Sequence, residues 1–175
     1  MDDQDARFRA LEARIRHLED QVQLYQIMSA YGPLVDSGDA EATAALWTED
    51  GIYDWGGGAD STAAGVTEGP QGAASGGAQI AAMVRGDYHQ AIIKGGAAHV
   101  MGLPHVAIDG DEAVAISYSR LYRRDGDSFR VWRAGANRWE FVRTPAGWRV
   151  KRRINRLLDG QEEGRRLLRS GFPAE

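Results

Sequence analysis

The strongest constraint on the fold is the run of turn signals in the second half of the chain. Between residues 97 and 158, four apolar stretches are separated by Asp109-Gly110-Asp111, Asp125-Gly126-Asp127 and Thr144-Pro145-Ala146-Gly147. Asp-Gly pairs tolerate the positive φ of tight hairpins, so stretches joined this way fold back as antiparallel neighbours. Strands are predicted over 97–108, 113–122, 129–143 and 148–158. The first part of the chain has a different period. Phe8, Leu11, Ile15, Leu18, Val22 and Tyr25 recur at steps of three and four, while Arg7, Arg9, Glu12, Arg14, Arg16, Glu19 and Asp20 cover the rest. That spacing predicts a helix over about 5–30, with a stripe that packs on its own domain or on another subunit. The pattern continues through Leu24, Ile27, Met28 and Tyr31 until Gly32-Pro33, which is predicted to bend or end it. Asp39 is placed to cap a helix over 40–47, Glu49-Asp50-Gly51 reads as a turn, 52–55 as a short strand and 79–89 as a helix. Helices followed by long antiparallel strands make an α+β fold.

Composition narrows the function classes. The 175 residues correspond to one domain at about 150 residues per domain, here with a core over about 10–158 and a charged tail over 159–175. There is no cysteine, which removes disulfides, thiolate metal sites and thiol nucleophiles. A net charge of −4 argues against nucleic acid as a partner. No apolar run is long enough for a membrane helix and the start lacks a secretory pattern, so a cytoplasmic protein is expected. Glycine is in excess, 22 residues, and is concentrated between 56 and 77. That stretch is expected to be a loop containing a short strand and a turn at Gly69-Pro70, and is a candidate lid.

Alternation splits each strand into two rows. In the last strand, Trp148, Val150, Arg152, Ile154 and Arg156 form the more apolar row and are expected to face inward. An inward arginine needs a carboxylate partner or a ligand. Asn137 shares a row with Trp139 and Phe141 and could present its amide to a ligand. Of the four histidines, His17 reads as surface, and His89 as a helix-end residue complementing the dipole. His99 lies inside an apolar strand, with His105 six residues on. Their spacing with Asp109 matches no strong ligand pattern, so no metal is expected. A carboxylate beside His99 would make it a stronger base, and Asp36, after Leu34-Val35, is the candidate.

Taken in order, several motifs resemble one family. They are Tyr31-x-x-x-x-Asp36-x-Gly-Asp39, Leu46-Trp47-x-x-Asp50-Gly51, His99, Val106-x-Ile108-Asp109-Gly110-Asp111-x-Ala113 and Gly147-Trp148-Arg149-Val150. Over about 10–158 the chain resembles the SnoaL-like branch of the nuclear transport factor two-like superfamily. Its pattern is nearest to scytalone dehydratase, hexachlorocyclohexane dehydrochlorinase and bile-acid 7α-dehydratase. The resemblance implies a curved, mixed but mainly antiparallel sheet wrapped around N-terminal helices as a cone-shaped α+β barrel. It also implies a cofactor-free lyase with an Asp36–His99 dyad in the mouth of the cone, with Tyr31 and Tyr53 as hydrogen-bond donors. Asn137 and Arg156 fall near pocket residues of these relatives. Trp55, Tyr118 and Trp139 are the candidates for enclosing a hydrophobic aromatic or polycyclic substrate. A homo-oligomer, a trimer before a dimer, is expected by the same resemblance. The alternatives are a non-catalytic ligand-binding or oxygenase-subunit module, an isomerase, a polyketide cyclase and an epoxide hydrolase.

Overall fold

The computed structural model describes residues 2–56 and 72–172. In chain order its elements are α1 (Asp2–Ser37), α2 (Ala40–Ala44), β1 (Trp47–Asp54), β2 (Ala73–Ser75), α3 (Gly77–Arg85), α4 (Asp87–Lys94), β3 (Ala97–Met101), β4 (His105–Asp109), β5 (Glu112–Asp125), β6 (Ser128–Thr144), β7 (Gly147–Leu157) and α5 (Glu162–Arg169). The strands form one curved sheet in the order β2-β1-β7-β6-β5-β3, with β4 also paired to β5. Only β1 and β7 pair in parallel among these strands; the rest are antiparallel. The α+β architecture read from the sequence is the one observed.

The hairpin signals act as expected: Gly110, Gly126 and Gly147 all have positive φ at the tips of β4–β5, β5–β6 and β6–β7. Asp39 caps α2, its carboxylate accepting from the Ala42 amide at 2.9 Å. Other boundaries differ. The strand expected over 97–108 is two strands, because Gly102-Leu103-Pro104 interrupts it. This puts His99 and His105 on opposite faces, since His99 pairs with Leu121 and His105 with Ile116. The helix expected over 79–89 is α3 and α4, parted at Gly86. Glu49-Asp50-Gly51 lies within β1, where the β1–β7 register shifts between Trp47 and Ile52. The candidate lid, apart from its ends, and the Gly69-Pro70 turn lie outside the described residues.

Gly32-Pro33 does not stop α1, which runs on to Ser37. The glycine is there because β3 crosses close by: a Cβ on Gly32 would collide with the His99 carbonyl oxygen. From Asp20 onward, the helix lies in the concave side of the sheet. Leu24, Met28, Tyr31 and Val35 recur at steps of three and four and pack with Trp47, Trp139, Phe141, Trp148 and Val150 in the core. Burying each such side chain is worth about 1.5–3 kcal/mol. At the rim, Asp20 accepts two bonds from Arg143, both 2.7 Å, and one from the Trp148 indole at 2.9 Å. These bonds hold the Asp20 carboxyl below its ordinary pKa, the Arg143 hydrogen bond contributing most.

The inward row of β7 also differs from the expectation. Glu140 pairs with Arg152 but Phe141 pairs with Val150, so Lys151 is an extra residue in a bulge. One extra residue exchanges the two faces. Trp148 and Val150 point into the core before the bulge; Arg153 does after it, 2% exposed. Arg152 and Arg156 are turned away and bind Asp54 instead, at 3.2 and 2.7 Å. No described helix is long and apolar enough to cross a membrane.

Candidate active site

Two elements distant in sequence bring the central pair together. Asp36 sits in the last turn of α1 and His99 in the middle of β3. The Asp36 carboxylate accepts from the His99 backbone amide at 2.7 Å and from ring Nδ1 at 2.6 Å. Two contacts to one carboxylate fix both the strand and the imidazole. With Nδ1–H donated to Asp36, Nε2 is the nitrogen left for proton transfer. Both side chains are only partly exposed, 17% for His99 and 21% for Asp36.

A second histidine supports the first. His89 on α4 lies 5.7 Å from the His99 ring, centre to centre, with the planes tilted by 30°. Its Nε2 donates to the Val35 carbonyl at 2.8 Å. Val35 is at the C-terminal end of α1, so His89 satisfies a carbonyl of the helix that carries Asp36. His89 is therefore not an exposed helix-end residue but a buried one. Burial pushes its pKa below the ordinary 6.5, against the raising effect of the Val35 bond, and keeps it neutral.

His99 faces a cavity of about 70 Å³ whose wall includes Tyr53, Met101, Ser119, Leu121, Arg153 and Asn155. Its polar centre is Arg153. The guanidinium lies 4.0 Å from the Tyr31 ring centre, 4.6 Å from Tyr53 and 4.4 Å from Trp139. Cation–π attraction in such a box replaces part of the lost hydration. Asn137 completes the support: its Oδ1 accepts from Arg153 Nε at 3.0 Å and Nη2 at 2.9 Å, while its Nδ2 donates to Ser119 at 2.8 Å. Asn155 donates to the same Asn137 oxygen at 3.0 Å. No carboxylate among the described residues pairs with Arg153, and its buried Nη1 has no hydrogen-bond partner there. A buried cation without a carboxylate partner, on the wall that holds His99, is suited to an anionic group or a developing oxyanion.

The other expected site residues fall in different places. Tyr31 is 3% exposed and packs edge-on against His99, Trp47, Tyr53 and Trp139 at 5.9–6.3 Å. Burial, followed by Tyr53, pushes its hydroxyl well above the usual phenol range. Tyr53 is on the cavity wall. Asn137 and Trp139 are fully buried behind the cavity wall, Asn137 bonded to the lining residues Arg153, Ser119 and Asn155 and Trp139 packed against Arg153. Trp55 contacts Tyr53 at 5.2 Å but lines a separate cavity of about 390 Å³ with Arg156 and Glu162. Arg156 thus belongs to the Asp54 cluster rather than to the dyad's cavity. Burial alone would raise the Asp54 carboxyl, but the bonds and charge of Arg156 and Arg152 overcome it and hold it low. Tyr118 is 50% exposed on the outer face; Ser119 and Leu121 take the inward positions of β5. Among the described residues, no three His, Asp or Glu side chains converge as metal ligands.

Arg153 and His89 were absent from the sequence-derived site. Alternation placed Arg153 outside because the Lys151 bulge is invisible to it. His89 carried a readable signal: it precedes Ile92 by three residues, and these two are the buried positions of α4.

A SnoaL-like domain profile matches residues 16–154. The chain belongs to the SnoaL-like family. That family includes polyketide cyclases and dehydratases, and its members are often enzymes. The SnoaL-like chain is 44% identical to an NTF2-like protein with a cystatin-like fold from Novosphingobium aromaticivorans, with a TM-score of 0.80 over 90% of this chain and 94% of that one. A candidate scytalone dehydratase from the same organism is 19% identical, with a TM-score of 0.61 over 81% of this chain and 85% of that one. A candidate aromatic ring hydroxylase, also from Novosphingobium aromaticivorans, is 24% identical, with a TM-score of 0.57 over 81% and 90%. The last two likenesses are of fold. No curated protein matches the chain.

Proposed function

We propose that this SnoaL-like protein is a cofactor-independent lyase for a small aromatic substrate, with His99 as general base and Asp36 as the group that orients it. The observation that supports this most is the doubly held His99, with Nδ1 bound to Asp36 at 2.6 Å and the ring on the wall of a cavity that also holds a buried cation without a carboxylate partner. In the proposed elimination, His99 Nε2 takes the proton from a carbon next to a carbonyl. The C–H electron pair moves onto the carbonyl oxygen, and the positive charge of Arg153 or the Tyr53 hydroxyl stabilises that charge. The electrons then return to form the C=C bond as a β-hydroxyl leaves, protonated by the His99 imidazolium, so one water is released and His99 is regenerated. Asp36 stabilises the imidazolium between the two steps. These are proton transfers, which side chains alone can perform. Retro-aldol loss of an aldehyde or isomerisation would begin from a similar enolate.

A non-catalytic assembly module is the second reading. Its support is the cavity volume, about 70 Å³ against roughly 300–1,000 Å³ for sites that enclose drug-sized ligands, which leaves little room for a substrate. The two readings are separated by assaying bicyclic aryl ketones bearing a β-hydroxyl and following the absorbance change as conjugation extends. The lyase reading expects turnover that falls about 10³-fold in His99→Ala and Asp36→Asn with the fold retained. Absence of turnover in the folded wild-type protein supports the module instead, whereas turnover indifferent to both substitutions contradicts the dyad.

A further inference from the structure

Among the described residues, nothing covers the apolar stripe on the N-terminal part of α1. Residues 4–19 are all exposed, and Phe8, Leu11, Ile15, Leu18 and Val22 are 53–59% exposed. At about 100° per residue, this stripe lies roughly 140° around the helix from Leu24, Met28, Tyr31 and Val35, the face that enters the core. The helix therefore carries two apolar faces in succession, and the first points away from its own domain.

Heptad positions identify what fits that face. With Phe8, Ile15 and Val22 at a, the d positions are Leu11, Leu18 and Tyr25. The g positions are Arg7, Arg14 and the uncharged Gln21; the e positions are Asp5, Glu12 and Glu19. In a parallel pair of identical helices, each g residue meets the e residue five positions later in the partner, giving Arg7 with Glu12 and Arg14 with Glu19 from both sides. In an antiparallel pair, g meets g and e meets e, so arginine would face arginine and glutamate would face glutamate. Like charges so placed oppose the pairing. β-branched Ile15 and Val22 at a, with Leu11 and Leu18 at d, favour two strands over three.

We propose that residues 4–25 of α1 form a parallel, in-register, two-stranded coiled coil with a second copy of this chain. The seam is Phe8, Leu11, Ile15, Leu18, Val22 and Tyr25. Asp20, at an f position on the outside of the coil, remains bonded to Arg143 and Trp148, so the seam and the domain do not compete for the same face. This two-chain seam differs from the three-chain assembly suggested by the family resemblance.

The absence of cysteine makes the test clean. Leu18→Cys, at a d position, is oxidised in the full-length protein and separated under non-reducing denaturing conditions. The expected result is a two-chain covalent product in most of the sample, because identical d residues meet only in a parallel, in-register pair. Arg16→Cys, at an outward b position, is expected to stay single-chain. Failure of Leu18→Cys to cross-link, or equal cross-linking by Arg16→Cys, overturns the proposal. Sedimentation of the Leu11→Glu/Leu18→Glu variant is expected to show the assembled mass halved, with circular dichroism still that of a folded domain. An unchanged mass overturns the proposal. Glu12→Arg/Glu19→Arg is expected to weaken association about tenfold and to regain it when mixed with Arg7→Glu/Arg14→Glu.

Discussion

From Asp20 to Ser37, α1 is held by the sheet, by Arg143 and Trp148 at one end and by the crossing of β3 over Gly32 at the other. From Gln4 to Glu19, the same helix has no buried residue. Apolar residues recur at steps of three and four in both halves. The difference lies in which face they occupy and whether the sheet is there to meet it. Periodicity reports that a helix has an apolar face; only the tertiary arrangement reports what covers it. The half that is covered is also the half that carries Asp36, so core packing and placement of the dyad are one structural event.

Paired substitutions sharpen this contrast. Leu24→Ala removes a fully buried side chain and is expected to destabilise the domain by about 2–5 kcal/mol in chemical unfolding. Leu18→Ala, 59% exposed, is expected to change domain unfolding by less than about 0.5 kcal/mol, any further loss depending on protein concentration. A large, concentration-independent loss at Leu18 would break the comparison. Next in size is Gly32→Val, which presses a side chain into the His99 carbonyl. It is expected to cost about 1–3 kcal/mol and to reduce turnover by separating Asp36 from His99. Asn137→Ala leaves Arg153 Nε and Nη2 without their acceptor and is expected to cost about 1–3 kcal/mol, with a weaker grip on anionic substrate analogues.

The smallest effect is the pH dependence of the covered half. The His89 pKa is lower in the folded protein than its ordinary 6.5, so the unfolded chain takes up this proton first. Stability should therefore be flat above about pH 7 and fall as pH drops through 6.5. Asp20 and Asp54, held below 3.8, add their own losses only at lower pH. His89→Gln, which can still donate to Val35, is expected to flatten the slope near pH 6, as read from urea midpoints. An unchanged slope would mean that the titrating group is elsewhere.

What was legible in the sequence follows the range of the signals. The Asp-Gly hairpins and the Asp39 cap are local and fall where the residues put them. Asp36 and His99 are 63 positions apart, and only the ordered motifs of the family suggested that they meet; their contact at 2.6 Å depends on α1 continuing through Pro33. The inward face of β7 was not legible beyond Val150, because the Lys151 bulge shifts alternation by one. That single residue moved Arg153 into the cavity and Arg156 out of it. Tyr118 was misplaced differently. It lies in the row of β5 that includes Val114 and Ile116, while the inward row is made of the smaller Ala113, Ala115, Ser117 and Ser119, sized to fit against α1 and the tryptophans. Hydrophobicity alone favours the wrong face there.

The most direct test of the account is a double-mutant cycle on the dyad, with turnover of a β-hydroxy aryl ketone as the readout. If Asp36 acts only through His99, then Asp36→Asn and His99→Ala each lower kcat by about 10³, and the double variant is no slower than the slower single one. Losses that multiply in the double variant, or a kcat left intact by either substitution, would contradict a single Asp36–His99 base.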